Sequence, residues 1–427
     1  SYLGDYCRDF EQSRKKARLV TMKMPSAEWT ERRGLAELIS ALDGEARFVG
    51  GAVRDTLLGL AAKDIDIATS LLPEDVMERL TAASIKVVPT GIAHGTITAV
   101  LPDGPVEITT LRRDVSTDGR RATVAFSDDW REDAARRDFT INALSADPQT
   151  LEVFDYFDGL EDLKNLRIRF IGSAAERIAE DHLRIMRYFR FLARFGQQQV
   201  EEDAFNACTA AAAKLESLSR ERVADELLKL LATEDPRFAV SQMLDAGIFQ
   251  HIIAEVAPDS KNMFGRLIKR EQLHHVGPGA IRRLVALLPN DTNRASQIAK
   301  SLKLSKKQQR ALGQRLSGGI NGNTEDQTAS LTDIRAFAYR TSVDTARDAA
   351  LLFADDSALP EMLGQLEGWQ PPVFPLTGGD LIEKGLKPGP IVAKSLAKIE
   401  AVWIANGFPD EQWVRGFLED QDVTLLT

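Results

Sequence analysis

Cysteine is scarce in this chain. Only Cys7 and Cys208 occur among 427 residues, which excludes a disulfide framework and fits a reducing compartment. No apolar run is long enough to cross a bilayer. Ser1-Tyr-Leu-Gly-Asp opens without the apolar core of a secretory leader, so the expected location is cytoplasmic. The pattern G-x-G-x-x-G is absent, which argues against a dinucleotide-binding fold. There is no zinc-ligand spacing, no heptad run, no internal repeat and no low-complexity tract. An excess of positive charge is also missing: the net charge is −9. Taken alone, that sum argues against a nucleic-acid partner, but its distribution matters more. Residues 261–320 hold thirteen Lys and Arg against two acids, Glu271 and Asp291. That window is either a solvated helix face or a phosphate-binding surface. A smaller basic cluster at residues 8–18 (Arg8, Arg14, Lys15, Lys16, Arg18) is a solvated arm or precedes a native start near Val20 or Met22, and is given no function.

What is present centres on one stretch, Phe48-Val-Gly-Gly-Ala-Val-Arg54-Asp-Thr-Leu-Leu-Gly59, running on to Lys63-Asp64-Ile-Asp66-Ile. Phe48 and Val49 read as the end of a strand, and Ala52–Leu58 as a helix. Gly50 and Gly51 therefore sit at a strand-to-helix turn, where free N–H groups suit a phosphate. Arg54 falls in the first helical turn and is expected to grip the same phosphate. Asp64-Ile-Asp66-Ile alternates with strand period, placing both carboxylates on one face. Two such carboxylates repel unless a cation lies between them, and Mg²⁺ shares oxygen ligands readily with substrate phosphates. Alone, a Gly-Gly is an ordinary turn and an Asp-x-Asp an ordinary solvated strand edge; the fixed spacing of the two carries the argument.

The rest of the chain supplies further motifs. Residues 30–43 and Pro73–Leu80 read as helices, and Ile85–Pro89, Thr96–Leu101 and Val106–Leu111 as strands of one mixed sheet. Residues 112–135 are polar and read as a mobile loop. Arg136-Arg137-Asp138-Phe-Thr-Ile-Asn142 reads as a charged opening to an apolar helix. Ser173-Ala-Ala-Glu176 is a capping box, expected to open one long helix carrying Asp181, Arg184, Arg187 and Arg190 as a stripe at three-residue spacing. An i,i+3 salt-bridge ladder is the plain reading of that stripe. From Glu201 onward the pattern is helix upon helix.

Taken together, Gly-Gly-x-Val-Arg-Asp-x-Leu-Leu-Gly, Asp-x-Asp, Arg-Arg-Asp and Glu180-Asp-x-x-Arg-x-x-Arg187 resemble the class II tRNA nucleotidyltransferase and bacterial poly(A) polymerase family, within the superfamily of DNA polymerase β. The motifs span roughly residues 48–226. The resemblance implies an α+β fold: a polymerase β-like head with a mixed sheet, followed by an all-α neck, body and tail. It implies residues 1–29 as an extension, 30–165 as the catalytic head, 166–240 as a nucleotide-selecting neck and 241–427 as the tRNA-binding remainder. It implies template-independent addition of CCA to the tRNA 3′ end from CTP and ATP, with two Mg²⁺ ions held by Asp64 and Asp66. Glu107, on a later strand, matches the position of a third catalytic carboxylate, though by pattern alone it is an edge residue. Gly50, Gly51, Arg54, Arg137, Asp181, Arg184, Arg187 and Arg190 are the implied nucleotide contacts. The loop at 112–135 is implicated in the family in switching to the final adenosine, and enzymes adding only CC lack part of it. Thr90-Gly-Ile-Ala-His94-Gly-Thr96 resembles CCA-adding enzymes more than poly(A) polymerases, and Ser219-Arg-Glu-Arg222-Val-Ala-Asp-Glu226 resembles a motif that braces the neck. A poly(A) polymerase, a CC-adding or A-adding enzyme, and a non-catalytic RNA-binding helical protein remain as alternatives. Neither a membrane nor a protein partner is implied.

Overall fold

The structure is a computed structural model that describes residues 18–62, 64–118, 121–196, 198–318 and 333–420. The basic cluster at residues 8–16 lies outside the described residues. The chain divides into two compact units at Ala254/Glu255. The expected boundaries near 165 and 240 both fall within the first unit.

The first unit is built on an eight-stranded mixed sheet, ordered β1 (Arg18–Lys23), β10 (Glu152–Asp155), β9 (Ser145–Ala146), β2 (Ala46–Val49), β3 (Asp66–Thr69), β6 (Gly104–Thr110), β5 (Thr96–Leu101) and β4 (Lys86–Gly91). Only β3 and β6 run parallel among its pairs. The register sorts the two faces. Phe48, Ile67, Ile108 and Ile97 lie opposite one another across β2, β3, β6 and β5, and all are buried. One residue along, Val49, Asp66, Glu107 and Thr98 form the matching row on the other face. The apolar face is covered partly by Trp29, whose ring meets Phe48 edge-on with centroids 4.8 Å apart. Helix Pro73–Ala82 packs against β4 and β5. It starts with proline at its first position and acids in its first turn, as unpaired N–H groups favour.

Three expectations are corrected here. The strand that carries the aspartates starts at Asp66, so Asp64 lies on its exposed approach, although Ile65 still accepts a ladder bond from the Glu107 N–H. Residues 112–135 are not shapeless: β7 (Arg112–Asp118) and β8 (Arg121–Phe126) form a separate two-stranded sheet, followed by a helix at Trp130–Ala135 capped by Asp129. Arg136-Arg137-Asp138 opens no apolar helix, only a single turn at Thr140–Asn142.

The neck also departs from its pattern. Ser173 accepts from the Glu176 N–H and caps a helix, but that helix ends at Glu180. Asp181 is extended, with φ −149° and ψ 106°, and a second helix runs Arg184–Phe195. Asp181 leaves the helix because its carboxylate accepts from the Leu183 N–H and from Arg222. The apolar side of the second helix (Ile185, Met186, Tyr188, Phe189, Leu192) is buried.

The second unit is helical throughout its described residues. Trp403 is 1% exposed and anchors one core with Leu381, Ile399, Val414 and Leu418. Elsewhere the interior holds charge. Arg282 and Arg283 both pair with Glu271, and Arg282 and Arg315 both pair with Asp348. Arg270 reaches the carbonyls of Leu351 and Ala354 and the carboxylate of Asp356. Four of the thirteen cations in the basic window are thus spent inside the unit. No described helix is long and apolar enough to cross a membrane.

Candidate nucleotide site

A cleft of about 350 Å³ in the first unit is lined by Gly50, Gly51, Arg54, Asp66, Arg137, Asp138, Asn142, Asp181, Arg184, Arg187 and Phe191. Sequence stretches more than 130 residues apart along the chain meet there, from Gly50 to Arg184. Gly50 takes φ +67°, and a side chain at that position would press on the Arg137 guanidinium at 3.2 Å. Glycine is therefore needed both for the turn and for Arg137 to lie over it. The helix behind it, Gly51–Leu57, is only seven residues long.

Arg54 is 5% exposed. Its Nε donates to Asp55 at 2.8 Å, and Nη1 donates to the Asn142 side-chain oxygen. The rings of Phe191 and Phe195 lie 5.2 and 4.8 Å from its guanidinium carbon. Burial pulls its pKa down, opposed by Asp55. Arg54 thus ties the glycine turn to the Arg184–Phe195 helix and keeps only part of its donor set for a ligand.

On the sheet side, Asp66 and Glu107 are register partners on adjacent parallel strands. Burial first, then the neighbouring Glu107, raises the Asp66 pKa above the usual carboxylate range; Asp64 adds to this and Arg137 opposes it. Among the described residues no three His, Cys, Asp or Glu side chains are gathered into a preformed metal cage. A pair of carboxylates short of positive charge fits Mg²⁺ all the same, because that ion is held by one or two carboxylates together with substrate phosphates.

The neck helix supplies the opposite wall. Its arginines form no ladder within the helix; each is pinned by a carboxylate from outside it. Arg184 pairs with Glu180 and donates to the carbonyls of Arg177 and Arg136. Arg187 pairs with Asp138, Arg190 with Glu226 at 2.6 Å, and Arg194 with Asp55 at 2.9 Å. Asp138 is buried, which pushes its pKa up, but Arg187 and the Asn142 amide outweigh this and hold it low.

Of the expected contacts, Gly50, Gly51, Arg54, Arg137, Asp181, Arg184 and Arg187 come together with Asp66. Asp64, Glu107 and Arg190 do not line the cleft. Arg190 instead turns to Glu226 and over Phe191. Residues given no role of their own in the sequence also matter here: Asp138, Asn142 and Phe191 line the cleft, and Asp55 and Asp133 hold its arginines, as does Glu226 of the expected neck-bracing motif through Arg187. Asp138 and Asn142 were signalled by their place beside Arg137, Asp55 by its place beside Arg54 and Glu226 by its motif; Asp133 and Phe191 carried no local mark.

Residues 46–169 match the model described as the poly A polymerase head domain, and residues 199–260 the one described as the probable RNA and SrmB-binding site of polymerase A. The chain is 34% identical over 412 residues to the mitochondrial CCA tRNA nucleotidyltransferase 1 of Mus musculus, covering 93% of this chain and 92% of that protein. This chain belongs to the tRNA nucleotidyltransferase and poly(A) polymerase family. Another member, the CCA-adding enzyme of Streptococcus gordonii, is 33% identical over 404 residues, covering 91% of this chain and 96% of that one. Among solved members, the Bacillus stearothermophilus CCA-adding enzyme in complex with CTP superposes with a TM-score of 0.71 at 26% identity, covering 90% of this chain and 96% of that one.

Proposed function

We propose that this family member adds CCA to the 3′ end of tRNA from CTP and ATP, releasing pyrophosphate, without a nucleic-acid template. The observation that carries the reading is the single cleft in which Asp66, the Gly50–Gly51 turn, Arg137 and the pair Asp181 and Arg184 converge. We keep residues 30–165 as catalytic head, 166–240 as selecting neck and 241–427 as the tRNA-binding part. We keep the cytoplasm as the location, which the scarcity of cysteine fits; the mouse relative is named as mitochondrial.

Asp64 and Asp66 would hold two Mg²⁺, with Glu107 completing the acidic row. When bound, the ions lower the pKa of the attacking 3′-hydroxyl and neutralise the leaving pyrophosphate. The chain's own groups do the rest. Gly50 and Gly51 bring backbone close to the triphosphate, and Arg54 and Arg137 hold its charge. Asp181 accepts hydrogen bonds only, and Arg184 donates only. Each Asp181 oxygen has one partner in the structure, so each retains a lone pair for a base. Arg184 spends its Nη1 donors and one Nη2 donor on Glu180, Arg177 and Arg136, which leaves Nε and the second Nη2 donor. Cytosine and adenine both present an amino donor beside a ring-nitrogen acceptor. Uracil and guanine present a carbonyl beside an N–H, and would leave both protein groups frustrated. This accounts for C and A against U and G; the order C, C, A has to come from the growing primer end and the segment 112–135.

The test is incubation with tRNA lacking its 3′ CCA and each nucleotide singly and together. Three residues added from CTP plus ATP, with one pyrophosphate each, is the expected outcome. A homopolymer from ATP alone would replace this reading with a poly(A) polymerase, and arrest after two residues with a CC-adding enzyme. Asp66→Ala should lower transfer by about three orders of magnitude with the fold retained, since it removes several kcal/mol of charge stabilisation.

A further inference from the structure

The hairpin β7–β8 shares no ladder with the main sheet, yet its root is firmly seated. The Ser127 N–H donates to the Leu111 carbonyl at 2.9 Å, closing the base of the hairpin. Gly95 takes φ +77°, and a side chain there would come within 2.9 Å of the Phe126 ring, so Phe126 packs directly on glycine backbone. The Arg112 guanidinium donates to the carbonyl of His94 at 2.7 Å. Trp130 lies against Val49, Ala68 and Leu111, with the Arg47 guanidinium 4.1 Å above its ring.

One buried side chain joins this root to the cleft. Asp133, 5% exposed, accepts from the Arg112 backbone N–H at 3.4 Å and from Arg136 at 3.1 Å. Its other oxygen accepts from Arg137 Nη2 at 3.3 Å. Arg137 in turn lies over Gly50 and lines the cleft with Asp66. A carboxylate buried among three donors cannot shift toward one without loosening another, because an unpaired buried charge is costly.

We propose that Asp133 is a positioning residue: it couples the seat of the hairpin to the aim of Arg137, so that nucleotide in the cleft and order at the hairpin root depend on each other. This rests on the nucleotide-binding reading above, and the coupling must be reciprocal. The socket that makes it work is His94-Gly95, which otherwise has no part in the cleft.

The test is hydrogen exchange of the full chain at the Arg112 and Ser127 amides, with and without CTP. In the native chain CTP should change exchange at both. In Asp133→Asn that change should vanish, with the KM for CTP raised about tenfold and kcat moved less than about threefold. Phe126→Ala leaves Asp133 in place and loosens only the root. It should raise the KM in the same way, and it keeps the inference falsifiable if Asp133→Asn does not fold. An exchange response that survives in Asp133→Asn, or an unchanged KM in Phe126→Ala, overturns the coupling. A native chain that binds CTP and extends tRNA but shows no linked exchange overturns this inference alone. A native chain that does not bind CTP overturns the nucleotide reading with it.

Discussion

The arginines of the neck helix and those of the second unit look alike in sequence and meet opposite fates. Arg184 and Arg187 are paired to carboxylates on other elements and still face a cleft. Arg282 and Arg283 are paired as thoroughly, but their exposure is only 3% and 2%, and they face each other's partners inside a core. In the neck, pairing fixes a donor's direction and leaves it something to donate. In the second unit, pairing consumes the charge. Meanwhile Lys300, Lys306, Lys307 and Arg310 remain exposed. Planar, forked guanidinium groups suit enclosed bidentate pairing, and compact, strongly hydrated ammonium groups suit a surface in water. A count of cations in a window therefore overstates its phosphate-binding surface.

That contrast can be broken at its strongest point by Arg282→Ala. Removing one member of the buried network strands Glu271 and Asp348 with a single guanidinium each. The expected cost is about 3–5 kcal/mol, seen as early unfolding of the second unit in urea, with CTP affinity of the first unit unchanged. A mild effect would mean that these arginines are no more structural than those of the neck.

Asp181→Ala probes the neck side. It removes the acceptor that penalises a uracil carbonyl, and discrimination against UTP should relax by about 100-fold, part of the roughly 10⁴ that a fully paired polar site supplies. The assay is incorporation of CTP, ATP, UTP and GTP on one tRNA primer. Unchanged preference with lowered thermal stability would make Asp181 merely the partner of Arg222.

The smallest effect belongs to the exposed lysines. Reversing Lys303, Lys306 and Lys307 to Glu should weaken tRNA binding and flatten its logarithmic salt slope by about 2 to 3. An unaltered slope would leave this surface as an ordinary solvated face.

How far the sequence could be read follows from where the interactions lie. Strands β2 to β6 and the Gly50–Gly51 turn were legible because period-2 alternation and glycine punctuation are local; β1, β9 and β10 were not read. The break at Asp181 was not: helical spacing runs straight through it, and its cause includes a guanidinium 41 residues away. The pairing of Arg190 was out of reach for the same reason, its partner Glu226 lying 36 residues on. The hairpin was hidden by polar composition, although Asp118-Gly119 is a turn signal in its own right. The inward turn of Arg282 and Arg283 did have a mark, since they interrupt an apolar run from Ile281 to Leu288.

The network of Glu271, Asp348, Arg282, Arg283 and Arg315 also bears on how such a chain can drift over generations. Any single exchange within it leaves the remaining buried charges unbalanced, so a lineage must cross a deep fitness valley to reach an apolar replacement, even one of equal stability. The lysines outside face no such valley and are free to change one at a time. The second unit should therefore evolve as a fixed interior carrying a negotiable exterior, able to alter its grip on a partner without altering its fold.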